Sequence, residues 1–147
     1  MSNQVPAWQG PILDNHFHLN RNGRYLDAAH DFKRAGGTNI VLIHCPDFAS
    51  PPTTKEGHRV AYQNTIAMAE SVRSELDLHV RVVLGPHPAA FAHQFIAWVE
   101  QDGAKGKNRA IENYRDSIDE AVKFYHEGKA HAIGAVSYTH LRAHETG

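Results

Sequence analysis

The sequence TNIVLIHC, residues 38–45, decides the fold class of this chain. Its centre, IVLI, is a continuous apolar run without the polar alternation of a strand that faces water on one side. Continuous runs rich in β-branched residues are typical of strands buried on both faces, and such strands occur mainly in parallel sheets covered by helices. We therefore expect an α/β fold.

Outside this run, strand-like and helix-like segments alternate along the chain. The strand candidates are PILDNHFHL (11–19), LHVRVVLGPHP (78–88) and KAHAIG (129–134), and helical patterns cover 23–37, 55–76, 89–101 and 111–128, with DGAKGKNR (102–109) as a polar loop. The order β-α-β-α-β-α-α-β predicts parallel strands with right-handed crossovers. Four such strands match the N-terminal half of a (β/α)₈ barrel of about 250 residues. A small four-stranded α/β sandwich is the competing architecture.

Two helical stripes are expected to face the core. In the 55–76 segment the stripe comprises Val60, Asn64, Ala67, Met68, Ser71 and Val72. In the 111–128 segment it comprises Ile111, Tyr114, Ile118, Ala121, Val122 and Tyr125. The helical period places the members of each stripe on one side of their helix.

Composition narrows the classes of function. The 147 residues carry a net charge of −1, which argues against a broad nucleic-acid or anionic-membrane surface. Cys45 is the single cysteine, so no internal disulfide forms and a reducing, cytoplasmic setting is expected. We see neither a signal peptide nor a membrane span. The chain has 12 histidines, and imidazole is the commonest metal ligand in proteins.

The first strand candidate carries the most specific chemical signal, the sequence Asp14-Asn-His16-Phe-His18. Alternate residues of a strand point to the same side, about 6–7 Å apart along its axis, so both imidazoles can reach one metal ion. In a parallel barrel the end of strand one lies at the catalytic rim. We interpret His16 and His18 as metal ligands, with Asp14 as a residue that orients one of the rings.

Other histidines are weaker candidates. His87, in LGPHP after the third strand, lies on the same rim and contacts either substrate or only its own loop. His44 and Cys45 end the second strand, and we expect Cys45 to be a small buried thiol. Four histidines on predicted helices are interpreted as surface residues: His30, His58, His93 and His126.

Four segments together resemble the TatD-related metal-dependent hydrolases, and most closely the archaeal-type branch of predicted TIM-barrel hydrolases. These are LDNHFHL, FKRAGGTNIVLIHCP, VVLGPHPA and EGKAHAIG, which occur in order between residues 12 and 134. The resemblance implies a divalent-metal hydrolase, in the best-known relatives a phosphodiesterase or deoxyribonuclease. It implies His16 and His18 as metal ligands and His87 near the substrate.

The resemblance also implies a bridging glutamate directly after the fourth strand, in a Gly-Glu pair. This chain has Gly134-Ala135 there, so the catalytic set is incomplete. The ion would be Mg²⁺, Mn²⁺ or Zn²⁺, and it would activate water for attack on a phosphodiester or a related ester or amide bond, with a small-molecule or nucleic-acid-derived phosphoester as one expected substrate. No stable nucleic-acid partner and no membrane contact are expected, and the oligomeric state stays open.

The residues that follow depart abruptly from the family pattern. Residues 136–146, VSYTHLRAHET, match codon by codon the translation of a transposase-type sequencing adapter. Ala135 would then be a hybrid codon whose first base, G, also begins a glutamate codon. We therefore expect residues 1–134 to be a partial hydrolase domain and residues 135–147 to be an artefactual tail, with no function for His140 and His144.

Two hypotheses follow for the whole chain. The first is a fragment of a metal-dependent hydrolase, inactive by itself, whose open sheet edges predict self-association or poor solubility. The second is a small non-catalytic α/β module that uses His16 and His18 as a weak metal site. Both need the histidine pair, so the pair alone does not separate them.

Overall fold

The computed structural model describes residues 5–134. The elements are β1 (Leu13–Phe17), α1 (Leu26–Arg34), β2 (Asn39–Ile43), α2 (Lys55–Leu76), β3 (His79–Leu84), α3 (Pro88–Asp102), α4 (Ala104–His126) and β4 (Ala132–Ile133). This order confirms the predicted β-α-β-α-β-α-α-β succession. The expected domain boundary at residue 135 and the His140/His144 pair lie outside the described residues.

The four strands form one parallel sheet in the order β1-β2-β3-β4. Each strand pairs with the next in sequence, so every crossover moves in the same direction across the sheet. Right-handed crossovers of this kind place the helices on one face. Accordingly, α2 lies against β2 and β3, α4 lies against β4, and the helices contact one another in the order α1–α2–α4. The α/β class with a parallel sheet is confirmed.

The core lies between the sheet and these helices. Alternate strand residues are buried there, including Ile40 and Leu42 of β2 and Val80, Val82 and Leu84 of β3. The helices contribute a second set, which comprises Ala29, Tyr62, Met68, Ala69, Val72, Ala121 and Phe124. Thr54 caps α2 by accepting a hydrogen bond from the Gly57 N–H at 3.0 Å. No helix within residues 5–134 is both long enough and apolar enough to cross a bilayer.

The expected polar loop at residues 102–109 is wrong. Helix α3 continues to Asp102 and α4 begins at Ala104, so Gly103 alone separates them. Gly103 has a φ of 56° and a ψ of −127°, a conformation that suits glycine. A Cβ at Gly106 would overlap the carbonyl oxygen of Trp98, so a second glycine lets the two helices approach closely. The polar side chains of this segment lie on the outer side of a helix rather than in a loop.

Candidate metal pair and histidine cavity

The carboxyl ends of the strands bring the predicted site residues to one edge of the sheet. His18 follows β1, His44 follows β2, and His87 follows β3 after Gly85-Pro86. Gly134 follows β4 and donates its N–H to the carbonyl oxygen of Leu84 at 3.0 Å. A Cβ at Gly85 would overlap the Gly134 carbonyl oxygen, so these two segments are in close contact.

His16 and His18 come together as their spacing predicted. Their Nε2 atoms are 2.9 Å apart, and their ring centroids are 4.7 Å apart with the planes at 82°. Two nitrogens that each lie about 2.0–2.1 Å from one ion have this Nε2–Nε2 separation when the nitrogen–ion–nitrogen angle is roughly 90°. The pair therefore has the separation of neighbouring ligands on a single ion.

A hydrogen bond to the backbone fixes the tautomer of His18. Its Nδ1 lies 2.9 Å from the carbonyl oxygen of Ile43, which can only accept, so Nδ1 carries the proton. The neutral ring therefore presents a lone pair at Nε2, and His16 Nε2–H donates to it. An imidazole held through Nδ1–H by a backbone carbonyl is the usual arrangement of a histidine that ligates metal through Nε2.

Asp14 acts on the backbone rather than on an imidazole. Its Oδ1 accepts a hydrogen bond from the His16 N–H at 2.9 Å. The β1–β2 register shifts between Asp14 and Phe17, so the unbroken period-two alternation expected from Ile12 to His18 is interrupted. One extra residue on β1 is the geometry of a bulge, and bulges re-aim side chains at strand ends. Asp14 thus stabilises the bend that precedes the histidine pair.

The pair has no third ligand within the described residues. Between residues 5 and 134, no group of three or more His, Cys, Asp or Glu side chains is arranged to hold a metal ion. The carboxylate that the resemblance implies would come from position 135, which is alanine in this sequence and lies outside the described residues. Two neutral imidazoles leave most of the ion's coordination sphere and all of its charge to other ligands.

His87 lies at the predicted edge and has a structural role there. It is the N-cap of α3, where its Nδ1 accepts a hydrogen bond from the Ala89 N–H at 3.2 Å. The ring of Phe48, in the β2–α2 loop, stands edge-on to it with centroids 5.0 Å apart. Pro86 and Pro88 flank the residue and restrict its backbone. Substrate contact by His87 stays a prediction.

A cavity behind His87 brings together two further histidines. His44 is buried, and its Nδ1 lies 2.7 Å from the hydroxyl oxygen of Thr65. His58 is also buried, and its Nε2 lies 2.7 Å from Oδ1 of Asn113. Burial, and next to it the unfavourable placement of a charge near the rings of His58, His18 and His87, lowers the pKa of His44 to about 4. His44 is therefore uncharged at neutral pH.

The interpretation of His58 as a surface residue was wrong, and so was the expectation that Cys45 is buried. His58 begins a buried row on α2 with Tyr62, Thr65, Ala69 and Val72, spaced by three and four residues. That spacing was visible in the sequence, but polar residues occupy two of its five positions. Cys45 is exposed, because the chain leaves the sheet directly after His44.

In comparisons with known proteins, no family model, no curated protein and no solved structure matches the chain.

Proposed function

We propose that this chain is the N-terminal part of a divalent-metal-dependent hydrolase of the TatD-like type, built on a (β/α)₈ barrel. The observation that carries the proposal is the convergence of His16 and His18, with Nε2 atoms 2.9 Å apart at the carboxyl edge of a parallel sheet. The sequential strand order, which has no reversal, supports a barrel over a doubly wound sheet.

In the proposed enzyme, the residues of this chain bind the metal ion and orient the side chains that ligate it. His16 and His18 bind the ion through Nε2, while the Ile43 carbonyl fixes the ring of His18 and Asp14 fixes the backbone at His16. When bound, the ion would lower the pKa of a water molecule and would place positive charge beside an oxygen of a phosphoester. A glutamate at position 135 and residues from later strands complete the coordination sphere. The chain without them is expected to be inactive.

Metal titration tests the pair. We expect Mn²⁺ or Zn²⁺ to bind one site by calorimetry, and His16→Ala or His18→Ala to weaken that binding by about tenfold or more. His30→Ala is the matched control, because His30 is an exposed histidine on α1. Equal metal affinity in the wild type and in both pair variants would remove the observation on which the proposal rests.

A non-catalytic α/β metal-binding module is the second candidate. It would use His16 and His18, whose Nε2 atoms are 2.9 Å apart, as a weak metal site by themselves. Sequencing the source DNA beyond codon 134 separates the two. Glutamate at 135, followed by roughly 100 residues with strand-end histidines and an aspartate, supports the hydrolase. A stop codon soon after 134 supports the module.

For the hydrolase, the extended chain should cleave a chromogenic phosphodiester with Mn²⁺, and His16→Ala should abolish that cleavage.

A further inference from the structure

The cavity behind His87 is separate from the metal pair and is lined by two buried imidazoles. It lies between the β2–α2 loop, α2, α4 and the first turn of α3, and His44 and His58 are among its walls. Both rings lie beside the ring of Tyr62, with centroids 4.8 and 6.4 Å from it. Neither His16 nor His18 lines the cavity.

The hydrogen bonds of His44 leave a lone pair at its Nε2 atom. The ring, whose pKa burial lowers to about 4, is uncharged at neutral pH, and its Nδ1 lies 2.7 Å from the hydroxyl oxygen of Thr65. That hydroxyl donates its own proton to the carbonyl oxygen of Ala61 at 3.5 Å, so His44 donates Nδ1–H to Thr65. Nε2 can therefore only accept. Within residues 5–134 no donor meets it, although only 9% of His44 is exposed.

The hydrogen bonds of His58 leave a second lone pair, at Nδ1. Asn113 donates its amide hydrogens to the carbonyl oxygen of Pro52 at 3.1 Å and to Oε1 of Gln94 at 2.8 Å. Oδ1 of Asn113 therefore accepts from Nε2–H of His58 at 2.7 Å. In the uncharged ring this is the single N–H, so Nδ1 can only accept. No donor from the described part of the chain reaches Nδ1.

Gln94 adds a hydrogen-bond donor to the same cavity. Its Oε1 accepts from Asn113, so its side-chain nitrogen, Nε2, is left to donate. Gln94 lines the cavity, and among residues 5–134 its Nε2 has no hydrogen-bond acceptor. The cavity thus offers a ligand two acceptors and one donor.

The lining selects an uncharged ligand. No Asp or Glu of the described residues lines the cavity, so a bound cation would lack a compensating charge, and a buried unpaired charge is costly. The two lone pairs would repel an anion. A primary carboxamide is uncharged and carries two N–H donors and one carbonyl acceptor, which complements the two acceptors and the donor. Its three heavy atoms match the cavity volume of about 40 Å³, which accommodates roughly three waters.

A shallow groove adjoins the cavity and offers space for the rest of such a ligand. The groove has a volume of about 410 Å³, and the aromatic side chains of Phe48 and Trp98 are among its walls. Pro51, Ala90 and Gln94 line both the cavity and the groove. A volume of this size is typical of sites for small organic molecules, and aromatic walls favour a ring.

We propose that the cavity binds the primary carboxamide of an uncharged aryl amide, whose ring lies in the adjoining groove. The amide N–H groups donate to Nε2 of His44 and to Nδ1 of His58, and the amide oxygen accepts from Nε2 of Gln94. This site requires neither a metal ion nor the His16/His18 pair. The proposal therefore goes beyond the proposed hydrolase and fails or holds independently of it.

Calorimetric titration of benzamide into the metal-free chain tests the site. We expect saturable binding of benzamide and binding at least about tenfold weaker for acetophenone, in which a methyl group replaces the NH₂ group, and for benzoate, which is an anion. Both comparison ligands keep the ring and the carbonyl carbon, so they isolate the amide hydrogens. No saturable binding of benzamide would mean that the cavity holds water only, and would overturn the proposal. Equal affinities for benzamide and acetophenone would overturn it as well, since the groove alone would then explain the binding.

Variants locate the binding. Gln94→Glu keeps an acceptor for Asn113 but loses the N–H donor, and Ala90→Leu enlarges a side chain that lines both the cavity and the groove. We expect each to weaken benzamide binding by about tenfold or more, whereas the exposed His79 of β3 provides the control His79→Gln, which should bind as the wild type does.

Thermal melts identify variants that do not fold, and either of the two site variants is sufficient for the test. Unchanged benzamide affinity in a folded site variant would place the binding elsewhere and overturn the proposal. The double variant His16→Ala/His18→Ala should retain the benzamide affinity of the wild type while it loses metal binding. A parallel loss of both would show that benzamide binds at the metal pair instead of in the cavity.

Discussion

Histidines of this chain differ in role because their hydrogen-bond partners differ. His18 is exposed at the sheet edge, with Nδ1–H on a carbonyl oxygen and its lone pair turned to His16. His44 is buried beside a hydroxyl and an aromatic ring, where the charged form is disfavoured. Residue type alone gives neither role. The partner atoms, which come from residues 25 and 21 positions away, decide between them.

The buried ring of His44 predicts a pH-dependent stability. Its pKa falls from 6.5 to about 4 on folding, so the unfolded chain binds the proton more tightly. The stabilisation is complete above pH 6.5 and is lost as the pH falls towards 4. We expect the free energy of unfolding to drop by about 2–3 kcal/mol between pH 7 and pH 4.5 through this residue.

Urea unfolding of wild type and His44→Gln across that range measures the effect, since glutamine does not titrate. The variant should show a shallower pH slope. Lys123 lowers the pKa of its salt-bridge partner Glu120 below the ordinary value of 4.5. Salt-bridged carboxylates of this kind therefore change the stability chiefly below pH 4.5, outside the range in which His44 acts. Identical slopes in the two proteins would show that His44 is as easily protonated in the folded chain as in the unfolded one.

Single polar side chains connect several elements, and Asn113 of α4 is the clearest case. It is buried and bonds to His58 of α2, to Gln94 of α3 and to Pro52 in the β2–α2 loop. Its three partners make it the point at which α2, α3 and the loop are joined. The Asn113 amide, as well as apolar contact, therefore fixes the positions of these helices relative to one another.

Removal of this amide should destabilise the fold. We expect Asn113→Ala to cost about 2–4 kcal/mol, because it removes the partner of the buried His58 ring and of the part-buried Gln94 amide. The neighbouring Glu112 is exposed, and Glu112→Ala should stay within about 0.5 kcal/mol of wild type. Urea denaturation measures both. Equal stability of the two variants would mean that water replaces the amide without cost.

The α3–α4 junction gives a prediction of its own. A Cβ at Gly106 would meet the backbone of Trp98, and backbone yields less readily than the end of a side chain. We expect Gly106→Ala to destabilise by about 1–3 kcal/mol through forced separation of the helices. At Gly23 the nearest atom to an added Cβ is 3.6 Å away, so Gly23→Ala is the control. A neutral Gly106→Ala would show that α3 can shift without loss.

Local patterns predicted the elements well and the helix faces only in part. The strand order and the histidine pair follow from short-range periodicity, which the sequence displays. The predicted stripes were right in part: Met68, Val72 and Ala121 are buried, whereas Val60 is 47% exposed and Tyr125 is 48% exposed. The buried face of α2 includes His58 and Thr65, and that of α4 includes Asn113 and Ser117. Polar residues on these buried faces weaken the apolar pattern from which a buried face is predicted. The cavity depends on contacts between helices whose residues, such as His58 and Asn113, lie 55 positions apart in the chain.

At the scale of the whole molecule, the sheet has two unpaired edges within residues 5–134. Strand β1 pairs only with β2, and β4 pairs only with β3. Both edge strands carry exposed apolar side chains, with Leu13 at 57% and Ile133 at 40% exposure. Unpaired N–H and C=O groups beside apolar side chains are templates for pairing with another chain. In the proposed barrel, further strands would satisfy these edges.

The isolated chain is therefore expected to self-associate. We predict that its mass, measured by light scattering after gel filtration, rises with concentration, and that Leu13→Lys with Ile133→Lys shifts it towards the monomer. Both positions are at least 40% exposed, so the free energy of unfolding should change by no more than about 0.5 kcal/mol per site. Val60→Lys is the matched control, because Val60 is an apolar residue with 47% exposure on α2, away from either edge. A wild-type chain that stays monomeric at all concentrations would show that its edges are protected. An equal effect of Val60→Lys would indicate general hydrophobicity rather than edge pairing as the cause.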